Sequence, residues 1–190
     1  MPNVFSKIIW ITFMDEGGLT IVYTGKGKGK TTAALGIALR ASGYKKKICM
    51  IQFIKGSWHY GEMDSSKRLE PEFEMVAIGK GFVGIIDDTS EKADHEKVAK
   101  EAIRISNEKI QSKKYDIVIL DEINYAVNLN LISLENVLDL IKSKPENIDL
   151  VLTGNYAKEE VIEAADLVTE MREIKHPFQQ GIKAKKGIDF

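Results

Sequence analysis

The sequence predicts an α/β fold: a mostly parallel sheet with helices on both faces. Three observations carry this. Short apolar strands alternate with amphipathic helices along the chain. The strands read as nearly continuous apolar runs, as strands buried on both faces do. A glycine-lysine loop, Thr24-Gly25-Lys26-Gly27-Lys28-Gly29-Lys30-Thr31-Thr32, joins the first core strand to the first helix.

In order, residues 19–24 read as a buried strand. Residues 30–42 read as a helix, with Gly43 at its stop. Residues 47–53 form a second strand and 73–78 a weaker third. Residues 91–113 form a long helix with Asp88 as N-cap and Glu91 completing a capping box. Residues 115–120 are a strongly apolar strand. A helix over 134–143 stops before Pro145, and 148–153 is another strand. Residues 157–165 are a short helix, 167–174 look extended, and the tail from Lys175 has little helix or strand character. Residues 54–71 and 79–89 depart from the alternation. Both leave the carboxyl ends of strands, where open α/β sheets place ligands.

The 190 residues, 44% of them hydrophobic, suffice for one domain with a substantial core. We expect an N-terminal arm over 1–18 and the domain over 19–190. The apolar run 8–14 is far short of a membrane span of about 20 residues and lacks the pattern of a secretory signal. It reads as a strand or arm, with Gly17-Gly18 as a hinge. Lys+Arg (27) nearly balances Asp+Glu (28), so no global charge draws the chain to nucleic acid or to a membrane. The single cysteine, Cys49, excludes an internal disulfide, fits a cytoplasmic setting, and reads as a buried core thiol.

The loop carries the chemistry. Glycines let successive backbone N–H groups turn inward around a phosphate, and the helix that follows adds its positive end. Lys30 supplies a full charge, and Thr31 or Thr32 a hydroxyl for magnesium. The usual pattern, G-x-x-x-x-G-K-[ST], would begin at Thr24; here the first glycine, Gly25, comes one place late, and Lys26 and Lys28 are added. The phosphates therefore need not lie as in ordinary ATPases. Downstream, the apolar strand Ile117-Val118-Ile119-Leu120 ends in Asp121-Glu122. That is a Walker B arrangement, in which one carboxylate approaches the metal and the other orients water or the loop threonine. Together these refine the fold class to a three-layer P-loop NTPase-like (RecA-like) architecture.

Four segments in order, GKGKGKTTAALG, QFIKGSW, VILDEINYAV and IKHPFQQGIKAKKGIDF, resemble the P-loop ATP:corrinoid adenosyltransferases over residues 19 to 190. The resemblance implies transfer of the 5′-deoxyadenosyl group of ATP to the Co(I) of a reduced corrinoid, with tripolyphosphate leaving intact. It implies a triphosphate reversed in the loop, Mg2+ (or Mn2+), a cytoplasmic homodimer and a reduced flavoprotein electron donor. Residue by residue, Gly25, Lys26, Gly27, Lys28, Gly29, Lys30, Thr31 and Thr32 carry over as the triphosphate cradle. Thr31 and Glu122 carry over to the metal, with Asp121 beside them, and Arg40 lies near the nucleotide. Lys30, Thr31 and Glu122 are the expected catalytic residues. Phe82 matches a phenylalanine that packs beneath the corrin. Some members have tryptophan where Gly84 stands, and arginine where Asn155 follows Thr153-Gly154.

Other residues read less sharply. Trp58 either stacks on a flat ligand such as the corrinoid or anchors its loop. His59, His95 and His176 lack metal-ligand spacing. Asp87, Asp88, Asp94 and Glu96 read as a solvated helix start. Lys175, Lys183, Lys185 and Lys186 form a basic tail, read as a solvated face or a contact to phosphate or corrinoid, with nucleic-acid binding a minor reading. The rival functions are a kinase or ATPase acting at the γ-phosphate, for which Arg40, Arg68, Arg104 and Arg172 are the few candidate charge stabilisers, and a switch or corrinoid carrier without turnover.

Overall fold

Five-residue runs such as Ile-Cys-Met-Ile-Gln and Ile-Val-Ile-Leu-Asp are too apolar to leave either face in water, so they become the middle of a covered sheet. The computed structural model describes residues 17–54, 59–78 and 92–189. Its elements are β1 (Thr20–Thr24), α1 (Lys30–Gly43), β2 (Ile48–Gln52), α2 (Gly61–Lys67), β3 (Phe73–Ala77), α3 (Lys92–Gln111), β4 (Ile117–Asp121), α4 (Ile123–Asn128), α5 (Leu134–Ser143), β5 (Asp149–Thr153), α6 (Glu159–Glu163) and β6 (Leu167–Glu170), then a 3-10 turn at Pro177–Gln180. The strands form one sheet in the order β3-β2-β4-β5-β1-β6. Every pairing is parallel.

Alternation along each strand sorts the core into two layers. On one face Ile48, Met50, Ile117, Ile119 and Val151 pack on Ala34, Ala38 and Ala41 of α1. On the other, Cys49, Ile51, Val118, Leu120, Leu150 and Leu152 meet α3, α4, α5 and α6. The alanines of α1 let that helix sit close over the sheet, which fixes where its N-terminus, and so the loop, can lie. The three-layer RecA-like expectation holds: one strand, β5, stands between the loop strand β1 and the carboxylate strand β4.

Several boundaries and two elements differ from the sequence reading. The short helix α2 lies inside the segment read as irregular, 54–71. Helix α4 follows β4 after a single residue, Glu122, in a left-handed conformation (φ 64°). Seven- and six-residue helices offer too few turns for apolar periodicity to show. The extended run expected over 167–174 pairs only through Glu170, on a strand exposed along its length. Gly18 is not a free hinge. A Cβ there would lie 2.1 Å from the carbonyl oxygen of Ile148. Lys144 Nζ donates to the carbonyls of Gly18 (2.6 Å) and Ile148 (2.8 Å), pinning the entry to β1. The proposed Asp88–Glu91 capping box and most of the arm lie outside the described residues. Among the described residues no helix is long and apolar enough to cross a membrane.

Cys49 is fully buried in β2, and burial, with the Glu74 carboxylate adding to it, pushes its thiol up to about 12. The thiolate is the reactive species. Ellman's reagent at pH 8 is therefore expected to leave the native protein unlabelled over the time in which urea-unfolded protein releases its single equivalent. Prompt labelling of the native state would place Cys49 outside the core.

Candidate functional site

The phosphate loop is shaped from one side by the chain leaving β6. Gly25 has φ 93°, and a Cβ on it would lie 2.5 Å from the Met171 carbonyl oxygen. A Cβ on Gly27 would meet the Arg172 carbonyl carbon at 2.8 Å, and Gly27 N–H donates to Met171 O at 2.7 Å. This explains the late first glycine. Thr24 is still part of β1, where its hydroxyl accepts from Ala157 N (3.1 Å) and ties down the turn after β5. Only from residue 25 does the backbone press against residues 171–172. Gly29, at φ 114°, is the N-cap of α1 and offers no side chain to its first N–H groups. N–H groups at a glycine-capped helix start are suited to an anion.

Lys30 reaches back over the loop. Its Nζ donates to Gly25 O (2.7 Å) and Gly27 O (2.8 Å) and ties the start of α1 back to the first half of the loop. Burial lowers its pKa from the ordinary value, while the Glu122 and Asp121 carboxylates act to raise it. A cation so placed needs little rearrangement to meet a phosphate at the centre of the loop.

Asp121 is fully buried at the end of β4. Its Oδ1 accepts from the Thr31 hydroxyl (2.9 Å) and the Thr153 hydroxyl (2.8 Å), and its Oδ2 from Gln52 Nε2 (3.2 Å). Thr31 spends its proton on Asp121, so its lone pairs are free to face a cation. Glu122 differs. Its left-handed backbone, held by its N–H to Thr153 Oγ1 (2.9 Å), turns it out of the sheet, and it lines the cavity in front of the loop. The two carboxylates are thus separated by position: Asp121 orders the loop threonine from below, and Glu122 borders the open space.

That cavity measures about 550 Å³. Lys28 to Thr32 form its floor; Tyr60, Gly61, Glu62 and Ser65 at the start of α2 form one wall, and Gly187, Ile188 and Asp189 close it. Asp189 pairs with Lys28, and its other oxygen accepts from Lys185 N (2.6 Å). The tail therefore returns to the loop as a tethered carboxylate, not as a loose basic extension. The α2 wall and Asp189 were not singled out in the sequence as site residues. Lys26, within the loop, is exposed and does not line the cavity. Arg40 is exposed in the last turn of α1, ten residues or about 15 Å along the helix from Lys30, and does not line the cavity. Trp58, Phe82 and Gly84 lie outside the described residues.

A hard cation fits this donor set: a threonine hydroxyl and two carboxylates at the mouth of the loop. Among the described residues no group of three or more His, Cys, Asp or Glu could hold a metal alone. The set suits magnesium, which one or two carboxylates and substrate phosphates hold together.

Fold and loop together make this a P-loop NTPase-like α/β protein. The solved structures agree at the level of fold: the flagellar accessory protein FlaH from Methanocaldococcus jannaschii superposes with a TM-score of 0.56 at 11% identity, over 82% of this chain and 71% of that one. The KaiC-like protein PH0186 from Pyrococcus horikoshii OT3 gives 0.52 at 14% identity, over 84% and 75%. Residues 16–190 match the family described as ATP:corrinoid adenosyltransferase BtuR/CobO/CobP, and the chain belongs to that family of transferases. It is 41% identical over 184 residues to a corrinoid adenosyltransferase from Sinorhizobium sp, covering 96% of this chain and 85% of the relative. Against the Escherichia coli K12 corrinoid adenosyltransferase it is 37% identical over 176 residues, covering 93% and 87%. Against corrinoid adenosyltransferase CobA of Salmonella typhimurium it is 34% identical over the same length, with the same coverage.

Proposed function

We propose that this chain moves the 5′-deoxyadenosyl group of ATP onto the Co(I) of a reduced corrinoid and releases tripolyphosphate, in cobalamin biosynthesis or salvage. The observation that carries the reading is the family match over residues 16–190 on a chain whose loop, Thr31 hydrogen-bonded to Asp121, and Glu122 meet at one cavity. Co(I) supplies the electron pair for the new Co–C bond; the C5′–O bond breaks, and its electrons leave on tripolyphosphate. Lys30, the residues 25–32 cradle and the N-terminus of α1 hold that negative charge. Magnesium, when bound, adds positive charge beside the phosphates. Thr31 and Glu122 would hold it, and Asp121 keeps the Thr31 hydroxyl turned correctly.

Gly27 N–H is committed to Met171, and the cradle begins one residue late. Both departures support a triphosphate that lies differently from that of a γ-phosphate-transferring enzyme. Arg40, though outside the cavity lining, is assigned to the nucleotide, and Phe82 and Trp58 to the corrinoid, where an apolar ring at Phe82 would offer the cobalt no lower ligand. A cytoplasmic homodimer served by a reduced flavoprotein completes the proposal.

Phosphorus NMR of a single turnover with chemically reduced corrinoid tests it. Intact tripolyphosphate is expected in step with the adenosylated corrinoid. ADP, or pyrophosphate and phosphate appearing together from the first turnover, would overturn it.

A further inference from the structure

The α1-facing side of the sheet ends in a polar row. Gln52 pairs in register with Asp121, Leu120 with Leu152, and Thr153 with Tyr23, so Gln52, Asp121 and Thr153 stand side by side on β2, β4 and β5. Each lies two residues beyond a core residue of that face: Met50, Ile119 and Val151. The apolar face that packs on α1 thus turns polar directly below Thr31, at the first turn of the helix.

Gln52 is fully buried in this row. Its amide turns the NH2 toward Asp121, whose Oδ2 accepts from it. This leaves Gln52 Oε1 buried with no donor among the described residues. A buried acceptor without a partner has given up its water for nothing, and such atoms are uncommon unless a ligand or water completes them. An apolar residue of this length would continue the alternation of β2 without that penalty. Gln52 is therefore costly for folding alone, and its cost falls beside the carboxylate that orients Thr31.

We propose that Gln52 is a positioning residue of the magnesium–nucleotide site. Its NH2 fixes the Asp121 carboxylate from the side opposite Thr153, and its free Oε1 is the acceptor for water that enters with magnesium ATP. The inference rests on the magnesium–ATP reading above and adds a residue for which that reading had no role.

Calorimetric titration of ATP, with magnesium and with EDTA, into the parent protein and Gln52→Met separates the possibilities. Methionine keeps length and volume and removes both amide functions. The expected result is a loss of about tenfold in affinity with magnesium, the scale of one hydrogen bond to a charged group, and affinities within about twofold of each other in EDTA. Equal losses in both conditions, or none in either, would overturn the role of Gln52. A parent whose affinity ignores magnesium would overturn the metal reading and this inference with it. The parent protein offers a second readout should the variant not fold. The chain has four glutamines, Gln52, Gln111, Gln179 and Gln180, so nitrogen-15 labelling of glutamine gives few side-chain amide signals. The Gln52 signal is expected to move with magnesium ATP and to stay in place with ATP in EDTA. Movement in both, or in neither, would count against the proposal.

Discussion

Lys30→Ala is expected to lower ATP affinity by roughly ten- to 150-fold, the range for removing one charge-assisted hydrogen bond. Burial sharpens the effect. The Lys30 ammonium already sits in a place that desolvates it, with Glu122 and Asp121 nearby to keep it charged, so a phosphate there meets a cation poorly screened by water. The substitution also removes the bridge between the Gly25 and Gly27 carbonyls, and the loop loses a brace as well as a charge. Titration of ATP into the folded variant measures the outcome. Affinity equal to that of the parent would remove Lys30 from the phosphate site.

Asp121→Ala is expected to cost about 3 kcal/mol of stability without nucleotide, because one buried acceptor serves three donors. The Thr31 and Thr153 hydroxyls can turn toward other acceptors, but Gln52 Nε2 is held by its place in β2 and loses its only partner among the described residues. Relief of the buried carboxylate's own desolvation offsets part of the loss. For a chain of 190 residues the figure corresponds to a fall of ~6–12 °C in Tm. Thermal melts of the nucleotide-free variant and parent decide it. Coincident melts would mean that Asp121 is kept for the site alone and that its hydrogen bonds contribute nothing to the fold.

Features spanning a few consecutive residues were open to reading in the chain itself. The apolar runs of β1, β2, β4 and β5 announced a buried parallel sheet. The loop from Gly25 to Thr32 marked the turn from β1 into α1, since glycine, lysine and threonine at that spacing before an apolar helix have a local physical purpose. The Asp121-Glu122 pair marked two carboxylates at the carboxyl end of β4. Periodicity and motif chemistry are local, and the sequence alone determines them.

Tertiary structure decided how those pieces divide their work. Asp121 and Glu122 are neighbours in sequence, yet one is sealed beneath the sheet's edge and the other borders the cavity, because a left-handed turn at Glu122 separates them. Gln52 and Asp121 are 69 residues apart, and Thr153 lies 32 beyond Asp121. Only strand register brings them into one row, and no window along the chain contains that register. Gly25 and Gly27 could be read as flexible, but what requires them is the backbone of residues 171–172 pressed against the loop. The tail read as basic, yet its consequential atom is the Asp189 carboxylate on Lys28. Each of these facts is a contact between distant segments. Hydrophobic patterning selects the fold class, and packing then decides which polar groups meet at its edge.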